Sequence, residues 1–192
     1  MGVHIGDKNI LIKDIKDNGN GYIWIATDHN GLIVVDWKNK QLENFLYNKN
    51  HKGCIPENTL QKIYIDDNGA VWIGAYKNGV AYSSPRMLLF STIPLGDICT
   101  ICEDTAGNLW CGTNDNGIVI YNPYTGSVRH VSSSSIGLGT DVVVSSLSAG
   151  DGSLYFGTYN GGMACYRKGK WQVFRAGASP DGLANDNVWS ME

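Results

Sequence analysis

The sequence has little charge and no long hydrophobic run, and each absence excludes a class of protein. Charged residues are 17% of the 192-residue chain, too few for a disordered, self-repelling tail. The formal net charge is −3 and no basic block is present, so a nucleic-acid-binding surface is not expected. No apolar run exceeds about five residues, which is too short for a membrane-spanning helix.

The N-terminal residues, Met1 to His4, lack the charged and apolar regions of a secretory signal peptide. From this alone we expect either a cytosolic protein or a piece of a longer exported chain. The cysteines do not decide between the two, because their number is odd and at least one has no partner within the chain. They are Cys54, Cys99, Cys102, Cys111 and Cys165.

Cys99 and Cys102 form a CxxC pattern inside an alternating apolar run. In a strand, positions three apart point to opposite faces, so the pair cannot easily share a metal ion or a disulfide. No second CxxC completes a zinc site. We therefore expect all five cysteines to be small core residues and expect no metal site.

Signatures of the common enzyme classes are also missing. The sequence has no GxSxG, no HExxH and no phosphate-binding glycine loop. Its histidines, at positions 4, 29, 51 and 130, lack ligand spacing, and the polar run 132–135 is expected to be a loop. Asp66 and Asp104 could be a carboxylate pair, but they occupy equivalent turns in different repeats. The sequence thus predicts no catalytic residue and no cofactor.

What the sequence does contain is glycine and an internal repeat. Glycine provides 24 of the 192 residues, against a typical share of about 7%. Four copies align on an aromatic residue, with a glycine three positions before it, a small residue two positions after it and a second glycine seven positions after it. The aromatic residues are Trp24, Trp72, Trp110 and Tyr155, and the later glycines are Gly31, Gly79, Gly117 and Gly162.

The mean spacing of the copies is about 44 residues, which matches a four-stranded β-propeller blade. Each copy reads as four strands, with a turn after the first that contains Asn-Gly or Asp-Gly in three copies and Ala-Gly-Asn in the third. The segment 42–49 could be a short helix, but the repeat favours a strand there. We predict an all-β protein with four four-stranded antiparallel repeats, at 9–52, 53–94, 95–138 and 139–182, and no helix.

The repeated residue types have a structural explanation. A large aromatic side chain fills the widening gap between two blades, and the small residue two positions later lets the next blade approach. The second glycine permits the turn into the third strand. The four aromatic residues and these four glycines are therefore predicted to form the structural core of the repeat.

Residues 183–192 resemble the start of a further repeat, after which the chain stops. The sequence therefore suggests a fragment of a larger propeller, since propellers close with four to eight blades. Open blade edges present unpaired backbone groups, so we expect the fragment to self-associate.

The segment Asp104-Thr-Ala-Gly-Asn-Leu-Trp-Cys-Gly-Thr113, followed by Asn116-Gly-Ile118, resembles the two-component regulator propeller repeat. Segment 66–75 with 78–80 is a second good match. Segment 21–27 with 30–32 is a third, with an altered acidic turn. The fourth copy departs most, because Tyr155 replaces tryptophan and Ala149 replaces the acid. The resemblance covers nearly the whole chain.

This resemblance implies a sensor region of a bacterial hybrid two-component system, of the kind known in Bacteroidetes. Such propellers lie in the periplasm, as the ectodomain of an inner-membrane sensor histidine kinase, and many detect oligosaccharides. The implied partners are an oligosaccharide and the neighbouring propeller and kinase domains of the parent chain. No kinase or receiver motif is present here, so the signalling output would lie elsewhere.

Two other functions stay open. Streptogramin lyases and some glycoside hydrolases have similar turns, but an enzyme would need acidic or histidine side chains converging at one propeller mouth. A protein-interaction propeller without a small ligand is the third possibility, because rigid loop faces suit that role as well.

A ligand would most simply contact the loops between the second and third strands. These loops combine hydrogen-bonding groups with two tyrosines, which suits sugar hydroxyls and apolar sugar faces. Solvated turns without a ligand are the plain alternative. The candidate ligand-binding residues are Asp28, His29, Tyr76, Lys77, Asn114, Asp115, Tyr159 and Asn160.

Overall fold

The computed structural model describes residues 9–51, 53–83, 90–177 and 182–192. These contain four antiparallel sheets, each of four strands hydrogen-bonded in chain order. We call the sheets blades 1 to 4. The fold is an all-β set of propeller blades, as the repeat predicts.

The strands of blades 1 and 2 are β1 (Leu11–Asp17), β2 (Tyr22–Asp28), β3 (Leu32–Asp36), β4 (Gln41–Phe45), β5 (Leu60–Ile65), β6 (Val71–Ala75), β7 (Val80–Ser83) and β8 (Ser91–Ile93). The strands of blades 3 and 4 are β9 (Ile98–Glu103), β10 (Leu109–Thr113), β11 (Ile118–Tyr121), β12 (Val128–Val131), β13 (Val143–Ser148), β14 (Leu154–Thr158), β15 (Met163–Arg167) and β16 (Lys170–Phe174). The ambiguous segment 42–49 begins in a strand, since β4 ends at Phe45. The repeat also places the fourth strand of the second copy at 87–91, of which residues 87–89 lie outside the described residues.

The prediction of no helix is wrong at one place. A one-turn helix, α1 (Ser133–Ile136), lies where a loop was expected. The backbone N–H of Ser133 donates to the Asp141 carboxylate, and Gly137 ends the turn in the left-handed conformation, with φ 83°. Four residues held by these local contacts have too short a span to show helical periodicity. No helix among the described residues has the length and apolar character needed to cross a membrane.

The chain divides into two compact units. Unit 1, residues 1–97, contains blades 1 and 2, and its core lies where the Trp24 face of blade 1 meets blade 2. Unit 2, residues 98–192, contains blades 3 and 4, with a core that includes Trp110, Leu154 and Phe156. The inner strands β6 and β10 are buried at every position, so apolar and small residues occupy both of their faces.

The four repeated aromatic residues differ in burial. Trp72 and Trp110 are buried, whereas Trp24 and Tyr155 are half-buried. In blade 4 the fully buried ring is the neighbouring Phe156.

The expectation that all five cysteines are core residues is wrong for two of them. Cys102, Cys111 and Cys165 are buried, while Cys54 and Cys99 are half-buried. Cys54 lies in the connection between β4 and β5, where its thiol is hydrogen-bonded to the backbone of Asn48. A loop position leaves one side of that residue open to water. None of the five cysteines forms a disulfide.

Candidate ligand-binding loops

The predicted ligand-binding residues lie at the loops that join the second and third strands of each blade. We call these the BC loops, at residues 29–31, 76–79, 114–117 and 159–162. Asp28 is the last residue of β2, just before the first BC loop.

A threonine at the end of the second strand closes three of the four BC loops. The Thr27 hydroxyl donates to the Gly31 carbonyl at 2.6 Å, Thr113 does the same to Gly117 at 2.9 Å, and Thr158 to Gly162 at 2.8 Å. Blade 2 has Ala75 there and keeps only the backbone hydrogen bond to Gly79. The repeated threonine therefore closes the loop through a buried hydrogen bond. The sequence pattern did not indicate this role.

The glycine that ends each BC loop connects the loop to the chain leading into the next first strand. Each glycine N–H donates to a carbonyl of that segment, at 2.9 to 3.0 Å. The pairs are Gly31 with Asn58, Gly79 with Gly96, Gly117 with Asp141, and Gly162 with Asp186. The last pair shows that the segment containing Asp186 packs on the BC loop of blade 4.

Within each unit, these segments hold two BC loops side by side. In unit 1 the carbonyls of consecutive residues Asn58 and Thr59 accept from Gly31 and Tyr76. In unit 2 the carbonyls of Asp141 and Val142 accept from Gly117 and Tyr159 in the same way. The structure thus brings the predicted residues together in pairs of loops, 28–30 with 76–78 and 114–116 with 159–161.

The loop pair of unit 1 is anchored by an acidic side chain. The backbone N–H groups of Lys77 and Asn78 both donate to Glu57 Oε1. Together with the hydrogen bond from the Tyr76 N–H to the Thr59 carbonyl, they fix this loop, which is therefore not a freely solvated turn. The Lys77 ammonium lies 5.2 Å from the centre of the exposed Tyr76 ring. Beside them is an open depression of about 420 Å³, whose walls include Lys77, Asn78 and Pro94.

In blade 1, His29 Nδ1 lies 2.6 Å from Asp28 Oδ1. His29 is exposed and has a left-handed backbone, with φ 69°.

The loop pair of unit 2 has an aromatic contact that the sequence did not suggest. The Tyr159 ring is 51% exposed and lies 5.6 Å from the Trp189 ring, centre to centre. The backbone N–H of Asn160 donates to the side chain of Asn187. Asn114 and Asp115 are exposed on the neighbouring loop. Trp189 belongs to the segment 183–192, which sequence reasoning treated only as a repeat start, so its side chain was missed.

The described residues contain no group of three metal-ligating side chains. Burial raises the pKa of the Cys102 thiol to about 12 and also raises that of Cys111, so neither is ionised at neutral pH. Both BC loop pairs present hydrogen-bonding groups and an exposed tyrosine ring.

The family described as the two component regulator propeller matches residues 92–115 by its sequence model. The match includes the turn at Asp104 and the Trp110 strand, and it confirms the resemblance of the repeats to that family. No curated protein sequence is similar enough to this chain to count as a relative.

Solved structures show the same blade architecture. One is the extracellular domain of a B. thetaiotaomicron protein assigned as a hybrid two component system, with a TM-score of 0.80 and 21% identity, covering 97% of this chain and 25% of that one. A second extracellular domain of that kind and organism has a TM-score of 0.75 and 21% identity, covering 92% and 26%. Virginiamycin B lyase from Staphylococcus aureus has a TM-score of 0.70 and 16% identity, covering 92% and 59%.

These similarities establish the β-propeller fold. The chain spans about a quarter of the length of the two extracellular domains that it matches, at 25% and 26%.

Proposed function

We propose that this chain is part of the extracytoplasmic sensor of a hybrid two-component system, and that its BC loops bind an oligosaccharide. The observation that carries the proposal is the fixed pairing of BC loops within each unit, with an exposed tyrosine in each pair. The propeller repeat and the extracellular sensor domains of similar fold support the sensor part.

The chemistry of the loops suits a polyhydroxylated ligand. The rings of Tyr76 and Tyr159, 42% and 51% exposed, offer flat apolar faces for the C–H side of a sugar ring. Around them, Asn78, Asn114 and Asn160 provide amides that both donate and accept hydrogen bonds. A rigid loop backbone lowers the entropic cost of binding, because these groups are already ordered.

The sensor would convey binding to a kinase outside this chain, through neighbouring propeller domains of the same parent protein. In this proposal the chain binds a ligand without converting it. The fold alone leaves room for catalysis, because virginiamycin B lyase has similar blades. Product formation from a bound oligosaccharide would therefore contradict a purely sensory role.

The proposal is tested by titrating a panel of neutral oligosaccharides into the protein by calorimetry. Tyr76→Ala and Tyr159→Ala should each weaken binding about tenfold, the loss of one well-packed ring contact of about 1.4 kcal/mol. Tyr124→Ala is the control, because Tyr124 is 76% exposed but lies in the turn between β11 and β12. Unchanged affinity in both loop variants would exclude this surface, and capture of a protein with no response to glycans would favour an interaction propeller.

A further inference from the structure

A second cavity lies away from the BC loops, between blades 1 and 2 of unit 1. Its volume is about 480 Å³, within the range of small-molecule sites. Trp24, Val34 and Phe45 of blade 1 form one wall, and Val71 and Ser83 of blade 2 form the other. The rim is polar and contains the carboxylates of Asp36 and Glu43.

The equivalent gap in unit 2, between blades 3 and 4, is filled with aromatic rings. Trp110 occupies the place of Trp24, and its ring centre lies 5.8 Å from Phe156, 4.8 Å from Tyr166 and 6.1 Å from Trp171. These rings close the space between the two blades.

The strand register shows why the gap in unit 1 stays open. Val71 pairs with Ser83 in blade 2 as Leu154 pairs with Tyr166 in blade 4, so Ser83 stands where Tyr166 fills the gap. Ile73 likewise replaces Phe156, because both follow the repeated aromatic residue. Phe90 packs against Phe45, with ring centres 5.8 Å apart, and does not take the place of the Tyr166 ring.

Trp24 in the cavity wall differs from Trp110 in its hydrogen bonding. Trp110 Nε1 donates to Asp104 at 2.8 Å, but Trp24 Nε1 is buried and has no hydrogen-bond partner among the described residues. Asn18 stands in the place of Asp104, and its oxygen accepts from the backbone of Asn20 and Tyr22 instead. An unpaired buried donor is costly. This atom has less than 1 Å² of accessible surface, so it lies within the wall of the cavity and not on its open surface.

The described residues that line the cavity carry only negative charge. Asp36 and Glu43 are acidic, and none of the lining residues is lysine, arginine or histidine. The nearby cation is Lys38, whose ammonium donates to the Asn20 carbonyl at 3.1 Å. Hydrogen bonds from the Asn39 backbone and side chain lower the pKa of Asp36, so this carboxylate is ionised at neutral pH. Such a rim attracts a cation and repels an anion.

We propose that this cavity binds a small aromatic amine, with its ring against Trp24 and its ammonium group toward Glu43 and Asp36. The ring would take the place that Tyr166 and Trp171 occupy in unit 2, against the apolar wall formed by Trp24 and Val34. This site is separate from the BC loops, and the proposal does not depend on oligosaccharide binding there.

The test uses three probes that share an indole ring and differ in charge: tryptamine, indole and indole-3-acetate. Each is titrated into 15N-labelled protein while the tryptophan Nε1–H signals are followed by NMR, with Trp24 assigned from Trp24→Phe. Tryptamine should shift the Trp24 signal saturably and bind about fivefold more tightly than indole, as expected for one partly exposed ion pair. Indole-3-acetate should bind more weakly than indole.

Two variants separate ring from charge. Ser83→Tyr supplies the missing phenol and should abolish the Trp24 response to both tryptamine and indole. Glu43→Gln, at an exposed strand position, should lower the ratio of tryptamine affinity to indole affinity toward one. Because Glu43 is on the surface, its replacement should not disturb folding. This variant therefore tests recognition of the ammonium group even if Ser83→Tyr fails to fold.

Three results would overturn the proposal: no Trp24 shift with tryptamine or indole, equal binding of tryptamine and indole-3-acetate, or a tryptamine preference unchanged in Glu43→Gln. Displacement of tryptamine by a neutral disaccharide would also overturn it, because the cavity would then be a saccharide site.

Discussion

At the scale of single residues, the acidic turn of the repeat holds the aromatic core residue. Asp104 Oδ1 accepts from the backbone N–H groups of Ala106 and Asn108, while Oδ2 accepts from the Trp110 indole. Asp66 makes the same contacts with Asn68, Ala70 and Trp72. One carboxylate thus orders the turn and orients the ring that fills the gap between blades. This is the physical reason for the D-x-x-G-N-L-W pattern.

Replacing this carboxylate should therefore lower stability measurably. Asp104→Asn keeps one oxygen for the turn but leaves the buried Trp110 N–H unpaired, as Trp24 is in blade 1. We expect a loss of about 1–2 kcal/mol in the free energy of unfolding, measured by urea denaturation. Asp115→Asn, on an exposed loop, is the control. Equal stability of Asp104→Asn and the parent chain would contradict the role of the indole hydrogen bond.

The same carboxylate should make stability depend on acid pH. Burial opposes ionisation of Asp104, but hydrogen bonds from Asn108 and Trp110 outweigh it and lower its pKa below 3.8. A depressed folded-state pKa gives stability that is present above the unfolded value and is lost as pH falls through the folded value. The stability gap between the parent chain and Asp104→Asn should thus be constant near neutral pH and narrow below about pH 4. If the difference in unfolding free energy between the parent chain and Asp104→Asn did not change with pH, protonation of Asp104 would not contribute to acid destabilisation.

The sequence predicted the repeat through residues whose chemistry is local. Turn acids, aromatic residues and glycines recur at fixed offsets because each blade needs the same turn and the same spacing. It could not predict that Ser83 leaves a cavity. That feature depends on which side chain faces which across two blades, and residues 24 and 83 are far apart in the chain. The unpaired Trp24 donor is local, because Asn18 stands in the place of the turn acid.

At the scale of elements, each BC loop is hydrogen-bonded to the segment that leads into the first strand of the next blade. Gly117 has φ 68°, and a side chain at its Cα would approach the Val131 carbonyl at 2.6 Å and Asp141 Oδ1 at 3.1 Å. Its own N–H donates to the Asp141 carbonyl. The glycine therefore has three functions: it allows the turn, it leaves room for the fourth strand, and it donates a hydrogen bond to the segment before the next blade. The sequence showed its position but only the first of these functions.

Gly117→Ala should lower stability by more than about 1 kcal/mol, because the added methyl group meets backbone in a left-handed conformation. Gly150→Ala is the matched control, since nothing lies within 4 Å of its added Cβ and its φ is not positive. The measurement is the urea midpoint of both variants against the parent chain. If the two variants were equally stable, the close approach at Gly117 would not constrain the fold.

At the scale of the whole molecule, blade 1 differs from the others in the exposure of its first strand. In β5, β9 and β13 at least one residue is fully buried, whereas every residue of β1 is exposed or half-buried. The register places Ile12 opposite Thr27 and Ile15 opposite Ile25, so both lie on the face away from Trp24. This face also has the buried residues Ile25, Ile33 and Val35. An apolar sheet face with exposed members is a surface that favours association.

We therefore expect self-association through this face of blade 1, which extends the prediction made from open blade edges. Ile12 and Ile15 are 45% and 51% exposed, so Ile12→Lys/Ile15→Lys adds two charges without opening a core. The double variant should lower the sedimentation coefficient at high concentration toward the monomer value, because bringing like charges together opposes the contact. Val128→Lys, on the exposed β12, is the control for added charge. A parent chain that sediments as a monomer at every concentration would exclude this surface as an interface, whereas association unchanged in the double variant would assign it to the backbone edges of the sheets.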